Sequence, residues 1–168
     1  PAGEYFQMLS EKVDGFALAL SGGASRMLQK LVTDFGAADN PLTRQRLAEL
    51  LAMRRTSRWS GQRAAASVKA GGEPGPGVST LKLVGSEVGR RTRDLGFDSM
   101  GANGMLWGDD APEQGGFHSY GMFTPAMSIA GGSDEVQRNI IGERVLGLPR
   151  EPGEAEQRDL PWSELRHN

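Results

Sequence analysis

The run SIAGGSDEVQRNIIGERVLGLPR, residues 128–150, decides how the rest of the chain is read. It opens on Gly131-Gly132, a pair that lets backbone approach a neighbour closely. Ser133 follows as a helix N-cap, with Asp134 and Glu135 in the first turn, where the helix dipole favours negative charge. Val136, Ile140 and Ile141 are spaced as the buried face of a short amphipathic helix. Gly147 and Pro149 stop it. A glycine-led helix N-terminus of this kind is a natural seat for a phosphate or the polar edge of a cofactor.

At 168 residues the chain is one domain-sized unit, long enough to bury a sizeable core. Lys plus Arg number 19 and Asp plus Glu 21, a formal net charge of -2. That balance gives no electrostatic basis for nucleic acid or an anionic membrane as partner. Arg54, Arg55, Arg58 and Arg63 form the one basic cluster, expected to be a solvated helix face. There is no cysteine, hence no disulfide and no thiolate chemistry. His118 and His167 stand too far apart for metal-ligand spacing, so no metal is expected. No stretch reaches the length of a membrane-spanning helix and no secretory signal is present, so the expected location is cytoplasmic.

Four amphipathic segments organise the chain. The first, about residues 4–34, places Phe6, Leu9, Val13, Phe16, Leu20, Met27 and Leu31 on one stripe, with small residues at Gly22, Gly23 and Ala24 that permit close helix approach. Asp39 or Asn40 can cap the second, with Pro41 in its first turn; Leu47, Leu50, Leu51, Met53, Trp59 and Val68 are its apolar positions. Gly71-Gly72 and the Pro/Gly stretch after it form a linker. The third segment, about 78–98, carries Leu81, Val84, Val88 and Leu95 and stops at Gly101-Ala-Asn-Gly104. Residues 105–130 mix Gly, Pro, Met and aromatics without period and read as a long loop, with an exposed tip at Asp109–Gln114. The fourth helix is the opening segment, about 133–146. These lengths predict an all-α, up-down-up-down four-helix bundle over residues 1–150, with a polar tail over 151–168.

The signature Gly132-Ser-x-Glu-Val-Gln-Arg-Asn-Ile-Ile141, followed by Glu143-Arg-Val-Leu-Gly-Leu-Pro-Arg150, resembles the last core helix of the flavin-dependent acyl-CoA dehydrogenases. Arg44–Leu50, Gly71–Pro76, Ser79–Glu87 and Gly101–Gly104 extend the resemblance, the last looking like that family's G-G-x-G turn. What it implies is the C-terminal helical domain of an oxidoreductase in which a carboxylate removes the α proton of an acyl-CoA and FAD takes the β hydrogen. It further implies that Gly101, Ala102 and Gly104 approach the flavin of a neighbouring subunit, and that Gly132, Ser133 and Glu135 touch the flavin nucleotide. The N-terminal helical and middle β domains of that family are not in this sequence, so the implied partners are those domains or a partner subunit, in a homo- or hetero-oligomer.

Three departures stand beside the resemblance. Where many members carry the catalytic Glu, directly before the G-T/S step, this chain has Gly131. The alternative position on the first helix falls near Val13, with Asp14 the nearest acid. The family's R-x-x-F-G segment survives only as Phe35-Gly36, and its Gln before the glycine turn is Asp98. A second reading therefore accompanies the first: a non-catalytic partner subunit or helical assembly module.

Overall fold

The computed structural model describes residues 23–72, 75, 78–149, 160, 161 and 164. Five α-helices lie within them: α1 (Gly23–Asp34), α2 (Pro41–Lys69), α3 (Val78–Met100), α4 (Gly116–Met127) and α5 (Asp134–Ile140). Among the described residues there is no strand, and the expected all-α class is the observed one. Asp14, the upstream half of the first expected helix and most of the 151–168 tail lie outside the described residues.

Local chemistry sets the joints. Asn40 caps α2, its side chain accepting from the Leu42 N–H at 2.9 Å, with Pro41 in the first turn. Arg44 folds back and donates to the carbonyls of Ala38 and Asp39, which ties the α1–α2 connection to the start of α2. Past the end of α2, Gly71 takes φ +86°, a left-handed value suited to glycine.

Helix α3 is the axis of the bundle, and each of the other four helices packs on it. Its buried residues are Ser86, Gly89, Thr92, Leu95, Gly96 and Met100, mostly small. The expected stripe is only partly realised: Leu95 is buried, while Leu81, Val84 and Val88 are half-buried. The reason lies in the partners. A Cβ on Gly96 would stand 2.1 Å from the Phe117 ring, and one on Gly89 would stand 2.9 Å from the Met127 sulfur. Helix α4 supplies the bulk and α3 supplies the space. Around this contact Ala24, Leu28, Leu31 and Val32 of α1, Leu50 of α2 and Tyr120 of α4 complete the core.

Two sequence expectations change. On α2 only Leu50 is buried, whereas Leu51, Trp59 and Val68 are exposed, so this long helix uses a narrow stripe and leaves much of its surface open. The stretch 105–130 is not a loop throughout: short 3-10 turns lead into α4, and the tip residues Asp109, Asp110, Glu113 and Gln114 are exposed. Phe117, Tyr120, Gly121 and Thr124 do follow helical spacing, but Gly, Thr and the internal Pro125 disguise it as aperiodic.

Gly96→Ala is expected to lower stability, and with it the thermal midpoint, through overpacking that costs on the order of 1–3 kcal/mol, and Phe117→Leu should recover part of the loss in the double variant. Gly85→Ala is the control: nothing lies within 4 Å of its Cβ position, so it should stabilise α3 by up to about 1 kcal/mol. Calorimetry on the four proteins checks both signs.

Candidate functional site

The glycine-led start of α5 forms as the sequence suggests. Gly131 and Gly132 take φ +72° and +93°, and the Ser133 hydroxyl accepts from the Val136 N–H at 3.3 Å. The phosphate seat expected there is closed, however. The Asp134 N–H donates to the Ser128 carbonyl and the Val136 N–H to the Ser133 hydroxyl. The exposed Glu135 carboxyl is held below its ordinary range chiefly by its own backbone N–H, and next by Ser133. With those first-turn donors spent on the protein and an anionic Glu135 beside them, this edge is rich in acceptors. It suits a hydroxyl or amino donor better than a phosphate.

The face that α5 buries is also not the expected one. Asp134 and Gln137 are buried, Ile140 and Ile141 are half-buried, and Val136 is 48% exposed. The reason is a polar latch. The Asp134 carboxylate accepts from Lys82 at 2.8 Å and from Arg90 at 2.9 Å, both on α3. Arg90 also donates to the Ser128 hydroxyl at 2.5 Å, and Lys82 to the Ser128 carbonyl at 3.2 Å. Lys82 is the first cause holding the Asp134 carboxyl well below the usual carboxylate range; burial opposes it, and Arg90 and Ser86 add to it. Gln137 Nε2 donates to the Gly131 carbonyl at 2.8 Å. A Cβ on Gly132 would stand 2.9 Å from that same Nε2, so the bare glycine makes room for the latch.

Gly131 itself is exposed, with nothing within 4 Å of its Cβ position. Its backbone carbonyl serves the latch, and no side chain is present to move a proton.

The second glycine site follows α3. Gly101 (φ +54°) and Ala102 are exposed, and nothing lies within 4 Å of a Cβ at Gly101. The Leu106 N–H closes this turn onto the Asn103 carbonyl at 3.3 Å. His118, which sequence reasoning left without a role, meets the Gly104 carbonyl through Nε2 at 2.9 Å. Asp98, the acid ahead of the turn, is paired with Arg46 of α2 at 2.7 Å.

The structure does not bring the two glycine sites together. The α5 latch grips α3 at residues 82–90, while the turn follows its other end. Fifteen helical residues separate Ser86 from Gly101, roughly 22 Å of rise at 1.5 Å each. Among the described residues no cluster of His, Cys, Asp or Glu could hold a metal ion, and no helix is long and apolar enough to cross a membrane.

The chain is an all-α bundle with one glycine turn after its central helix and another leading α5. The family model for the acyl-CoA dehydrogenase C-terminal domain matches residues 19–146, and the chain belongs to that family. It is 38% identical over 130 residues to acyl-CoA dehydrogenase IpdE1 of Mycobacterium tuberculosis, covering 74% of this chain and 31% of that protein. The IpdE1 of Mycolicibacterium smegmatis is 36% identical over 131 residues, covering 74% and 30%. The chain thus spans about a third of the length of these relatives. In fold it is similar to the Tcur3481-Tcur3483 steroid ACAD, with a TM-score of 0.69 at 22% identity, covering 83% of this chain and 38% of that one. It is also similar to the ChsE4-ChsE5 complex of Mycobacterium tuberculosis, with a TM-score of 0.66 at 22% identity, covering 83% and 37%.

Asp134→Asn is expected to destabilise the chain by about 2–4 kcal/mol at neutral pH, because Lys82 loses its buried counter-charge and Arg90 is left with Glu87. The sign with pH follows from the depressed carboxyl. Its stabilisation is complete above the unfolded value near 3.9 and is lost as pH falls through the lower folded value. Denaturant midpoints should therefore differ between parent and variant equally at pH 7 and pH 5, and converge only in stronger acid. A gap unchanged down to pH 2 would contradict an anionic Asp134.

Proposed function

We propose that this domain forms one wall of the FAD site and part of the subunit interface in an enzyme that oxidises the Cα–Cβ bond of an acyl-CoA thioester. The carboxylate that takes the α proton lies outside the signature helix. The observation that carries this reading is Gly131: the family signature begins at the very next residue, yet the position where many members hold the base is a bare, exposed, left-handed glycine. When bound, the flavin accepts the β hydrogen as hydride.

The residues present fit such a cofactor in a specific way. Gly101 and Ala102 offer exposed backbone with no side-chain bulk, and Gly104 is fixed behind them. Gly132, Ser133 and Glu135 offer acceptors, which match the hydroxyl and amino groups of a nucleotide. Pairing with Arg46 neutralises Asp98, the one acid beside the glycine turn that a phosphate would oppose. A cytoplasmic location belongs to the same proposal.

A second reading, the non-catalytic partner of a heteromeric dehydrogenase, has its own support. Both similar solved structures carry two-component names. Val136, Val145, Leu146 and Leu148 are exposed around the end of the chain's signature, an apolar surface suited to another domain or subunit. The two readings differ in where the base resides.

The test uses the complete parent protein, alone and with any subunit that co-purifies. The expected result is a yellow assembly whose flavin absorbance bleaches with acyl-CoA under anaerobic conditions. A colourless assembly overturns the flavin reading. Asp14→Asn in the same assembly is expected to leave bleaching intact, which excludes Asp14 as the base; loss of bleaching would assign the base to it.

A further inference from the structure

His118 is a buried polar residue, 5% exposed, whose ring the fold surrounds with specific contacts. Helix α4 carries it back to the end of α3, where Nε2 lies 2.9 Å from the Gly104 carbonyl. A carbonyl only accepts, so Nε2 donates in this contact. Nδ1 is buried and makes no hydrogen bond. The ring is clamped edge-to-face by Phe97, with centroids 5.1 Å apart, and by Trp107, 6.1 Å apart. Phe97 and Trp107 flank the glycine turn in sequence, so both sides of the turn lean on this one ring.

A buried imidazole that leaves one nitrogen unsatisfied gives up part of its hydrogen-bonding capacity, and the one bond it keeps goes to the turn. The turn is itself a short 3-10 helix, Gly101–Met105, closed at its end by the Leu106 N–H on the Asn103 carbonyl, with a 3.4 Å contact from the Asn103 amide to the Met100 carbonyl. His118 adds a side-chain tie to it from another helix. Gly101 and Gly104 contribute no side chains.

We propose that His118 is the positioning residue of the Gly101–Gly104 turn: a strut from α4 that fixes the Gly104 carbonyl and thereby the exposed backbone presented to the flavin. This rests on the flavin reading above for its consequence, but the strut itself is independent of it.

The experiment is made in the complete assembly, with three substitutions. His118→Phe keeps the ring between Phe97 and Trp107 but cannot donate. His118→Gln keeps a donor of similar reach. His118→Asn, whose amide stops short of Gly104, stands in should the Phe variant fail to fold. Hydrogen exchange of residues 101–106 and the FAD dissociation constant are read together with the thermal midpoint. In His118→Phe or His118→Asn, exchange in 101–106 should accelerate and the FAD constant should rise, each about ten-fold, the size expected for one lost hydrogen bond. His118→Gln should remain within about three-fold of the parent on both, as a retained donor requires. Unchanged exchange in the Phe and Asn variants overturns the strut. Faster exchange with unchanged FAD affinity overturns its positioning role. A parent assembly that binds no FAD overturns the flavin reading instead, and the exchange result then still decides the strut.

Discussion

The fold depends on a stripe of α3 that carries almost no side chain. Ser86, Gly89, Thr92 and Gly96 give this helix a shallow groove along the face it buries. Phe117, Tyr120 and Met127 of α4 fill it, and the Tyr120 hydroxyl donates to the Gly89 carbonyl at 3.2 Å. Apolar residues on both helices would hold them farther apart. Because α1, α2 and α5 also pack on α3, the position of every other element is set relative to this one close contact. The chain spends two helix-interior glycines there, each costing about 1 kcal/mol of helix propensity, and the close packing of an aromatic core offsets that cost.

Helix α5 is held by a different principle. It has only seven residues, too few to persist without tertiary contacts. An apolar face could have supplied those contacts, but apolar contacts tolerate sliding and rotation. Asp134 between Lys82 and Arg90, with Gln137 on the Gly131 carbonyl, accepts one orientation. Buried ion pairs contribute little net stability once desolvation is counted, yet they are directional. The arrangement gives up stability for precision at the turn that leads the helix. It also turns Val136 outward.

These two features explain what could be read from the sequence. The signature helix, its Ser133 cap, the Asn40 cap and the all-α class follow from local rules, and local rules are legible in one sequence. The burial of α5 was not, because an amphipathic count ranks Val136 above Asp134, and only the placement of Lys82 and Arg90 across the interface reverses that order. Helix α4 was hidden for a related reason. Its buried face includes a histidine, a glycine and a threonine, and it is preceded by Glu113 and Gln114, both with positive φ near 54°. Non-glycine residues adopt that region rarely, and no residue-type rule anticipates two in succession. The glycine sites were visible as motifs, but their support was not: His118 is a lone histidine in the sequence and becomes a partner of Gly104 only after α4 returns to the end of α3.

The separation of the two glycine sites constrains what an assembly can be. The glycine turn follows one end of α3, whereas the α5 start is tied to Lys82 and Arg90 within it, so the two face different surroundings. If both meet flavin, as proposed, one domain serves either two ends of an extended cofactor or two cofactors in adjoining subunits. The latch and the strut then do parallel work: each fixes a glycine backbone against α3 with a side chain from a different helix. A domain organised in this way supplies geometry at both places without a base at either. The glycine at 131 fits the proposed reading, in which the carboxylate that removes the proton lies outside the signature helix.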